Sequence, residues 1–251
     1  MTDNLIAASQ GTPWAHWQQS AHLARATWIT PAQLCPPGHR LVVVAPHPDD
    51  EVLACGGLLC SFHGREQALL LVSVTDGEAS HRHSRHWTEH RLRHDRPMES
   101  RHALRCLDLA VNDLDWRRLS LKDGAVARDE AYLVNYLTQL LTADDVVLTT
   151  WRRDGHTDHE AVGRACAQAA RTRGARLVEV PVWAWHWATP EDSRLPWPQA
   201  HRIQLDEQSL ARKRQAIAAH VSQTHSDNGE DPVLPHALRE CLLQPFELVF
   251  L

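Results

Sequence analysis

Hydrophobic residues in this chain form short apolar runs that alternate with segments of helical periodicity. The runs predict strands at residues 41–45, 68–74, 146–150, 176–180, 182–187, 201–205 and 247–251. The segments between them predict helices at residues 53–64, 97–109, 130–141, 157–173, 206–220 and 235–243. The first four strands read as continuous rather than alternating patterns, which is typical of strands covered on both faces. This order predicts an α/β fold with a Rossmann-like, mostly parallel sheet and helices on both of its faces.

Domain organisation follows from the even distribution of structure-breaking residues. The 251 residues include 14 Pro and 11 Gly that are dispersed, with no internal repeat and no low-complexity linker. We expect one domain over residues 1–251, because a single α/β domain of this size buries most of its apolar surface. Residues 1–38 are predicted to form an N-terminal helical extension that ends in a turn at residues 36–38.

Charge and hydropathy exclude several classes of function. A net charge of −5 leaves no basic excess for binding nucleic acid. The longest apolar runs span five residues, whereas a membrane helix needs about 20. Residues 1–10 contain no Lys or Arg, unlike the start of a secretory signal. We therefore expect a soluble cytoplasmic protein, and the sequence makes no prediction about its oligomeric state.

Histidine and cysteine usage points towards metal chemistry without a thiolate site. The six cysteines are scattered without a CxxC pair, which disfavours a zinc ribbon or a redox dithiol. The 18 histidines are unusually many and leave room for imidazole ligands.

The first chemically unusual segment, residues 45–51, comes directly after the strand predicted at 41–45. It offers an imidazole and three carboxylates, from His47, Asp49, Asp50 and Glu51. A nucleotide-binding loop would need glycines here so that the backbone could approach phosphate. The plain alternative is a turn whose carboxylates cap the next helix. Because ligands bind beyond the carboxyl ends of the strands in such sheets, we favour a functional site.

The second segment, residues 154–160, follows the strand predicted at 146–150. Thr157 with Glu160 three residues later resembles a capping box, so Thr157 is predicted to be the N-cap of the following helix. His159 then falls in the first helical turn and His156 just before it. The positive end of the helix dipole favours neutral imidazole, which is the form that binds metals.

Together the two segments supply His, Asp and His around one point, with a further Asp and His within reach. Three protein ligands plus an open position are typical of catalytic zinc sites. The mixed nitrogen and oxygen ligands favour Zn²⁺, and Fe²⁺, Co²⁺ and Mn²⁺ are also compatible with them.

These segments resemble a known family. Residues 47–51 and 156–159 are similar to the paired motifs of the PIG-L/LmbE-like zinc-dependent N-deacetylases. Supporting similarities occur at residues 75–78, at Arg96 with Glu99, and at residues 213–223. The resemblance covers about residues 40–225 and implies an LmbE-like deacetylase fold. It also implies hydrolysis of the N-acyl group, usually acetyl, of an amino sugar or of a glycoconjugate that carries one.

The resemblance further implies a role for each motif residue. His47, Asp50 and His159 would bind the metal, and Asp49 would be the general base that takes a proton from water. His156 would stabilise the oxyanion, and Asp158 would orient one of the histidines. Glu51 is expected to bond the backbone of its own loop. Some family members carry a Tyr where this chain has Asp154.

Other residues are assigned to the substrate side of the site. Arg96 would hold a sugar hydroxyl or an acidic group, with an ion pair to Glu99 as the alternative, and Trp151 would form part of the pocket wall. His220 would face the site from the C-terminal helix, and Lys213 would make a structural ion pair. In a strand, Trp183, Trp185 and Trp187 would share one face, either as a platform for a ligand or as packing under a helix. The histidines of residues 81–94 are expected in a solvated loop beside the active site rather than in a second metal site.

Three other functions share part of this evidence. An amidase acting on a non-sugar or thiol-conjugate amide would use the same residues. A non-catalytic, metal-bearing sugar-binding protein would bind without turnover, but would not need Asp49 and His156. A sugar-nucleotide transferase could hold a divalent ion with neighbouring aspartates, but would need a phosphate cradle that the sequence lacks.

Overall fold

The computed structural model of the chain describes residues 5–227 and 229–251. Eight strands form one sheet: β1 Thr27–Ile29, β2 Arg40–Ala45, β3 Leu69–Thr75, β4 Asp115–Leu121, β5 Asp145–Thr150, β6 Arg176–Val180, β7 Ala200–Gln204 and β8 Phe246–Phe250. Their order across the sheet is β1-β7-β8-β6-β5-β2-β3-β4. All neighbouring strands are parallel except β8, which is antiparallel to both β6 and β7.

Twelve α-helices connect and cover these strands in the described residues: α1 Leu5–Ala8, α2 Trp14–Trp17, α3 Ala21–Arg25, α4 Pro31–Leu34, α5 Asp50–Cys60, α6 Glu89–Cys106, α7 Glu130–Leu140, α8 Thr157–Arg173, α9 Ala184–Trp187, α10 Glu207–Ala218, α11 Val221–Thr224 and α12 His236–Leu242. Helices α5, α6 and α10 contribute to the apolar cluster on one face of the sheet, and α7 and α8 to the cluster on the other. The predicted Rossmann-like α/β fold is therefore confirmed.

The central strands bury both of their faces, as their continuous apolar sequences predict. Every residue of β3 and β5 is buried, and so is every residue of β2 after Arg40. Because β2 and β5 are adjacent and parallel, the segments that follow Ala45 and Thr150 leave the sheet side by side. This adjacency brings together two motifs that lie about a hundred residues apart in the chain.

Several predicted elements are wrong or incomplete. Residues 182–187 form a turn and the short helix α9 rather than a strand. Helix α6 begins at Glu89, capped by the Thr88 side chain, so Pro97 lies inside the helix and does not start it. The predicted N-terminal extension contains four short helices and also β1, which pairs with β7 at the edge of the sheet. Residues 1–4 of that extension lie outside the described residues.

Two further findings concern the cysteines and the apolar character of the helices. The six cysteines are free thiols in the described chain, and five of them are buried. Among residues 5–227 and 229–251, no helix combines the length and the apolar character needed to cross a membrane.

Candidate metal centre and active site

The ends of β2 and β5 carry three imidazoles that face one another. The ring centroids of His47 and His159 lie 5.3 Å apart, and the ring of His156 lies 4.8 Å from each of them. Each of the three offers a nitrogen atom within 4.8 Å of the others. His47 and His159 are buried, and His156 is partly exposed. The two predicted motifs therefore meet at the carboxyl ends of the central strands β2 and β5.

Asp50 lies between two of these rings. Its Oδ2 atom is 3.2 Å from Nδ1 of His47 and 3.3 Å from Nε2 of His159. Asp50 takes this position because α5 starts at this residue immediately after the turn that follows β2. The backbone N–H of His47 also donates to Oδ2 of Asp50 at 2.9 Å, which fixes the carboxylate against the turn.

Asp50 and His159 shift each other's pKa in opposite directions. Burial alone would raise the pKa of Asp50, but the imidazoles of His159 and His47 outweigh it and hold the pKa below its usual range. Burial alone would lower the pKa of His159, but the carboxylates of Asp50 and Asp154 raise it to about 9. The two shifts therefore favour the ionised carboxylate of Asp50 and a positive charge at the His159 ring.

The donor set fits a divalent cation. Nε2 of His159 is buried and has no hydrogen-bond partner among the described residues, so no hydrogen bond has to be broken for this atom to bind a metal ion on the side of Asp50. Ligands that bind one metal ion at about 2.1 Å from tetrahedral or octahedral positions lie roughly 3.0–3.4 Å apart. The two distances from Oδ2 of Asp50 fall in that range.

Both imidazoles are held by carboxylates at the nitrogen that faces away from Asp50. Nε2 of His47 lies 3.2 Å from Asp158 and 3.2 Å from Asp123, and Nδ1 of His159 lies 2.8 Å from Asp154. Such partners fix the orientation of a ligating imidazole and increase its basicity. Asp158 also accepts backbone N–H bonds from Gly124 and Val126, which anchor it to the loop after β4.

Asp49 is held beside this cluster in a strained backbone conformation. Its φ angle is +139°, a region that residues other than glycine rarely occupy. Its backbone N–H donates to Glu51 at 3.1 Å, so Glu51 bonds its own loop as expected. Burial raises the pKa of Asp49 to about 7, although the Arg96 guanidinium beside it opposes the shift. A carboxylate with that pKa is suited to accept a proton near neutral pH.

His156, rather than Thr157, caps the N-terminus of α8. Its Nδ1 atom accepts a weak hydrogen bond from the Asp158 backbone N–H at 3.3 Å, and Thr157 is the first residue of the helix. Glu160 bonds the Gly155 N–H at 3.3 Å, so the capping box predicted for Thr157 does not form. Burial lowers the pKa of His156 to about 3, and the neighbouring His159 adds to this effect. The ring is therefore neutral at neutral pH.

A cavity of about 230 Å³ opens onto these side chains. His47, Asp49, Asp50, His156 and His159 all line it. Its remaining polar and aromatic lining comes from other loops and from α6 and α11: Ser80, Arg82, Arg96, Asp123, Trp183 and Gln223. The candidate metal position and the candidate base thus face the same space, where a small polar ligand would reach both.

Residues 42–170, just over half of the chain, match the family described as PIG-L, GlcNAc-PI de-N-acetylase. The chain belongs to the PIG-L family. The matched segment runs from β2 through α8 and contains both motifs of the site.

A curated relative and two solved structures are similar to this PIG-L family member. The probable N-acetyl-alpha-D-glucosaminyl L-malate deacetylase 2 of Bacillus subtilis (strain 168) is 28% identical over 137 residues, which cover 51% of this chain and 59% of the relative. A deacetylase triple mutant from the teicoplanin biosynthetic pathway aligns with a TM-score of 0.63, covering 84% of this chain and 96% of its own at 19% identity. The N,N'-diacetylchitobiose deacetylase of Pyrococcus horikoshii aligns with a TM-score of 0.56, covering 77% and 72% at 16% identity. These two structures show the same fold.

The three predicted substrate-side residues lie in different surroundings, and of them Arg96 lines the cavity. Arg96 is buried. Its guanidinium donates hydrogen bonds to the carbonyl oxygens of Gly77 and Pro48 and to the Asp49 carboxylate, and it does not pair with Glu99. Trp151 is buried and packs against other aromatic rings at the end of β5, whereas Trp183 lines the cavity.

His220 precedes α11 and is fully buried. Both of its ring nitrogens are without a hydrogen-bond partner in the described part of the chain. Burial lowers its pKa to about 3, and the nearby Arg96 guanidinium adds to the shift. The ring therefore stays neutral behind the site.

Asp123 and the role of Asp154 in this PIG-L site were not predicted from the sequence. Asp123 lies in the turn after β4, a polar edge strand whose sequence has no apolar pattern to mark it. Asp154 stood out only as a departure from the Tyr of some family members. The histidines of residues 81–94 lie mostly exposed in the loop before α6 and on its first turns, and Arg82 of that loop lines the cavity.

Proposed function

We propose that this protein is a metal-dependent N-deacetylase that acts on an N-acyl amino sugar or on a glycoconjugate containing one. The observation that carries the proposal is the convergence of His47 and His159 on Oδ2 of Asp50, with all three residues lining one cavity. The relatives support the substrate class, because two are described as deacetylases of N-acetyl-alpha-D-glucosaminyl L-malate and of N,N'-diacetylchitobiose, and the third as a deacetylase of the teicoplanin biosynthetic pathway. The match spans only 59% of the curated relative, so the substrate is inferred by analogy.

His47, Asp50 and His159 are the residues that we assign to the metal. Their mixed nitrogen and oxygen donors favour Zn²⁺, with Fe²⁺, Co²⁺ and Mn²⁺ as alternatives. A divalent ion held by them would act as a Lewis acid that acidifies water and polarises the acyl oxygen.

Asp49 is the proposed general base. Its carboxylate faces the cavity, and Arg96 fixes one of its oxygens through a 2.9 Å bond. It would take a proton from the water molecule that attacks the acyl carbon, and the amide nitrogen would take up a proton as the C–N bond breaks. The products are a carboxylate and a free amine.

His156 is the proposed hydrogen-bond donor to the acyl oxygen. Because Nδ1 accepts from the Asp158 N–H, the single proton of the neutral ring resides on Nε2. That N–H is available to the cavity, where negative charge develops on the acyl oxygen in the transition state. Asp158 and Asp123 would keep His47 in its ligating orientation.

Two measurements test the proposal together. Elemental analysis of the purified protein should find about one divalent ion per chain. A free-amine assay should detect turnover on N-acetylglucosamine, on its α- and β-glycosides or on N,N'-diacetylchitobiose, and a chelator should abolish it reversibly. N-acetyl amino acids and N-acetylcysteamine serve as non-sugar amides in the same assay. Turnover restricted to those amides would favour the amidase alternative, and ligand binding without turnover would refute a hydrolytic role.

A further inference from the structure

Asp154 is a completely buried carboxylate that lies behind the proposed metal centre rather than in the cavity. It occupies the turn between β5 and α8, five residues before His159. Oδ2 of Asp154 is 2.8 Å from Nδ1 of His159 and accepts the backbone N–H of Trp183 at 2.9 Å. Oδ1 accepts the backbone N–H groups of Val182 and Ala184, each at 2.9 Å. Each carboxylate oxygen therefore has two hydrogen-bond partners.

This count of donors fixes the proton of His159. Three of the four groups around Asp154 are backbone N–H groups, which can only donate. The three backbone N–H donors favour the ionised carboxylate, which has no proton to give to the ring, so Nδ1 of His159 is assigned as the fourth donor. A neutral His159 then has its lone pair on Nε2, the atom that lies 3.3 Å from Oδ2 of Asp50 and has no other partner in the described chain. The hydrogen bond behind the ring thus selects the tautomer that can ligate a metal.

The same carboxylate also shapes the cavity wall. By accepting the N–H groups of Val182, Trp183 and Ala184, it caps the short helix α9 and holds Trp183 at the wall. The indole of Trp187 donates to the Asp154 carbonyl at 2.7 Å, which ties the far end of α9 to the same residue. One side chain therefore connects the His159 ring to the aromatic wall.

We propose that Asp154 is a positioning residue that sets the tautomer of His159 for metal binding and aligns it with the Trp183 turn. The inference rests on the proposed assignment of His159 as a metal ligand. Asp154 takes this role at a position where some family members carry a Tyr, whose hydroxyl could not accept four hydrogen bonds. In this chain the position therefore serves the metal ligand and the wall together.

Replacing Asp154 by Asn separates this role from simple packing. The Asn side chain has nearly the same shape, but one of its two ends is an NH₂ group that only donates. If its oxygen accepts from Val182 and Ala184, the NH₂ group faces both His159 and the Trp183 N–H. The Trp183 hydrogen bond is then lost, and the ring must move its proton to Nε2 to accept from the NH₂ group. The lone pair is then lost from the metal side. In the opposite orientation, the NH₂ group faces the backbone N–H groups of Val182 and Ala184. Both of these hydrogen bonds are then lost, which disrupts the Trp183 turn.

The experiment compares D154N with D145N in the metal-free full-length protein. Asp145 is a matched control, because it is also a buried aspartate of the β5 region and is bonded to Arg40 at the opposite end of that strand. Zn²⁺ affinity is measured by competition with a chromophoric chelator, and the His159 tautomer by long-range ¹H–¹⁵N NMR, with H159Q for assignment. We expect D154N to lose 10- to 100-fold in Zn²⁺ affinity and to move the ring proton to Nε2. D145N should keep the wild-type affinity even where its melting temperature falls equally.

The outcomes separate the inference from the proposed function. If the wild-type protein binds no divalent ion, the proposed function fails. If the wild-type protein binds Zn²⁺ and D154N binds it within twofold, only the role of Asp154 is refuted. The wild-type spectrum tests the role even if D154N does not fold, because the proposal requires a proton on Nδ1 of His159. A ring protonated only at Nε2 would overturn it.

Discussion

Arg96 donates from a single amino group to Oδ2 of Asp49 at 2.9 Å and to the carbonyl oxygen of Pro48 at 2.8 Å. Its other amino group donates to the Gly77 carbonyl at 2.9 Å. Side chain and backbone of the loop after β2 are thus clamped by one buried guanidinium. This clamp holds Asp49 at its unfavourable φ angle and offsets the cost of burying its carboxylate.

Gly77 is expected to be essential for this clamp. Its φ angle is +68°, and a Cβ atom at this position would lie 2.5 Å from Cζ of Arg96. The Gly77→Ala substitution should therefore displace the guanidinium and lower kcat by up to about 100-fold, because the proposed base loses its alignment. Steady-state kinetics on whichever N-acetyl sugar is turned over measure this effect.

The control for that substitution is Gly64→Ala. Gly64 has a similar φ angle of +72°, but a Cβ there would meet no atom within 4 Å. It should cost about 1–2 kcal/mol of stability through the left-handed backbone alone and leave kcat unchanged. Equal kcat values for the two variants would show that the contact between Gly77 and Arg96 does not matter for catalysis.

Asp49 and His159 should fail in different ways when they are truncated. Asp49→Ala should keep its metal content and lose roughly 10²- to 10⁴-fold in kcat, because the proposed general base is missing. His159→Ala should lose the metal itself, because a ligand is missing. Elemental analysis after dialysis, combined with kinetics, distinguishes the two. Full activity of Asp49→Ala, or an unchanged metal content of His159→Ala, would contradict the assigned role.

Lys213 and Glu247 form a buried ion pair. A structural ion pair was predicted for Lys213 from the sequence. Nζ of Lys213 donates to Glu247 at 2.8 Å, and the same carboxylate accepts the backbone N–H groups of Gly57 and Leu58. These N–H groups follow the kink in α5 at Cys55, where the helix loses its regular backbone geometry. Lys213→Met should lose about 3–5 kcal/mol of unfolding free energy, because it leaves a buried carboxylate without its counter-charge.

The double variant Lys213→Met/Glu247→Gln should recover part of that loss, since the unpaired charge is removed with its partner. Urea denaturation of the single and double variants measures both values. A Lys213→Met protein as stable as the wild type would mean that the two backbone N–H groups alone satisfy Glu247.

Asp145 should make stability depend on pH in the acid range. Burial alone would raise its pKa, but the two-pronged bond from Arg40 outweighs burial and lowers it. Because the folded-state pKa lies below the unfolded value of about 4, the pair stabilises the protein fully above that value. The contribution is lost as the pH falls through the folded-state pKa.

The free-energy difference between wild type and Asp145→Asn should therefore be about 1–3 kcal/mol at pH 7 and shrink below about pH 4. Urea denaturation between pH 7 and pH 3 measures it. The exposed pair of Arg117 with Asp115 provides the control, and Asp115→Asn should change stability by less than about 1 kcal/mol at any pH. A constant difference for Asp145→Asn across this range would contradict the linkage.

The elements that could be predicted from sequence are those whose pattern is set by burial. The strands β2, β3 and β5 are buried on both faces, and α8 has the predicted bounds, residues 157–173. The motif residues follow the carboxyl ends of β2 and β5. Because these two strands are adjacent and parallel, the motif residues lie close together. Local pattern and tertiary packing agree in these elements.

The elements that could not be predicted are determined by contacts made elsewhere in the chain. Residues 182–187 alternate like a strand, but Asp154 accepts three consecutive backbone N–H groups there and bends the chain into a turn. β4 is a polar edge strand, and the first half of α6 has no apolar stripe, so neither carries a periodic signal. Asp123 was not predicted as a partner of His47 because it follows the unpredicted strand β4. Asp154 was not predicted as a partner of His159 because its position depends on the backbone N–H groups of residues 182–184.

The strand order has a consequence for synthesis on the ribosome. β1 precedes the other described strands in the chain, yet its only neighbour among them is β7, and β7 reaches the rest of the sheet only through β8. β1 must therefore wait until the much later strands β7 and β8 have left the exit tunnel. Its edge groups stay unpaired during elongation while the middle of the fold can already assemble.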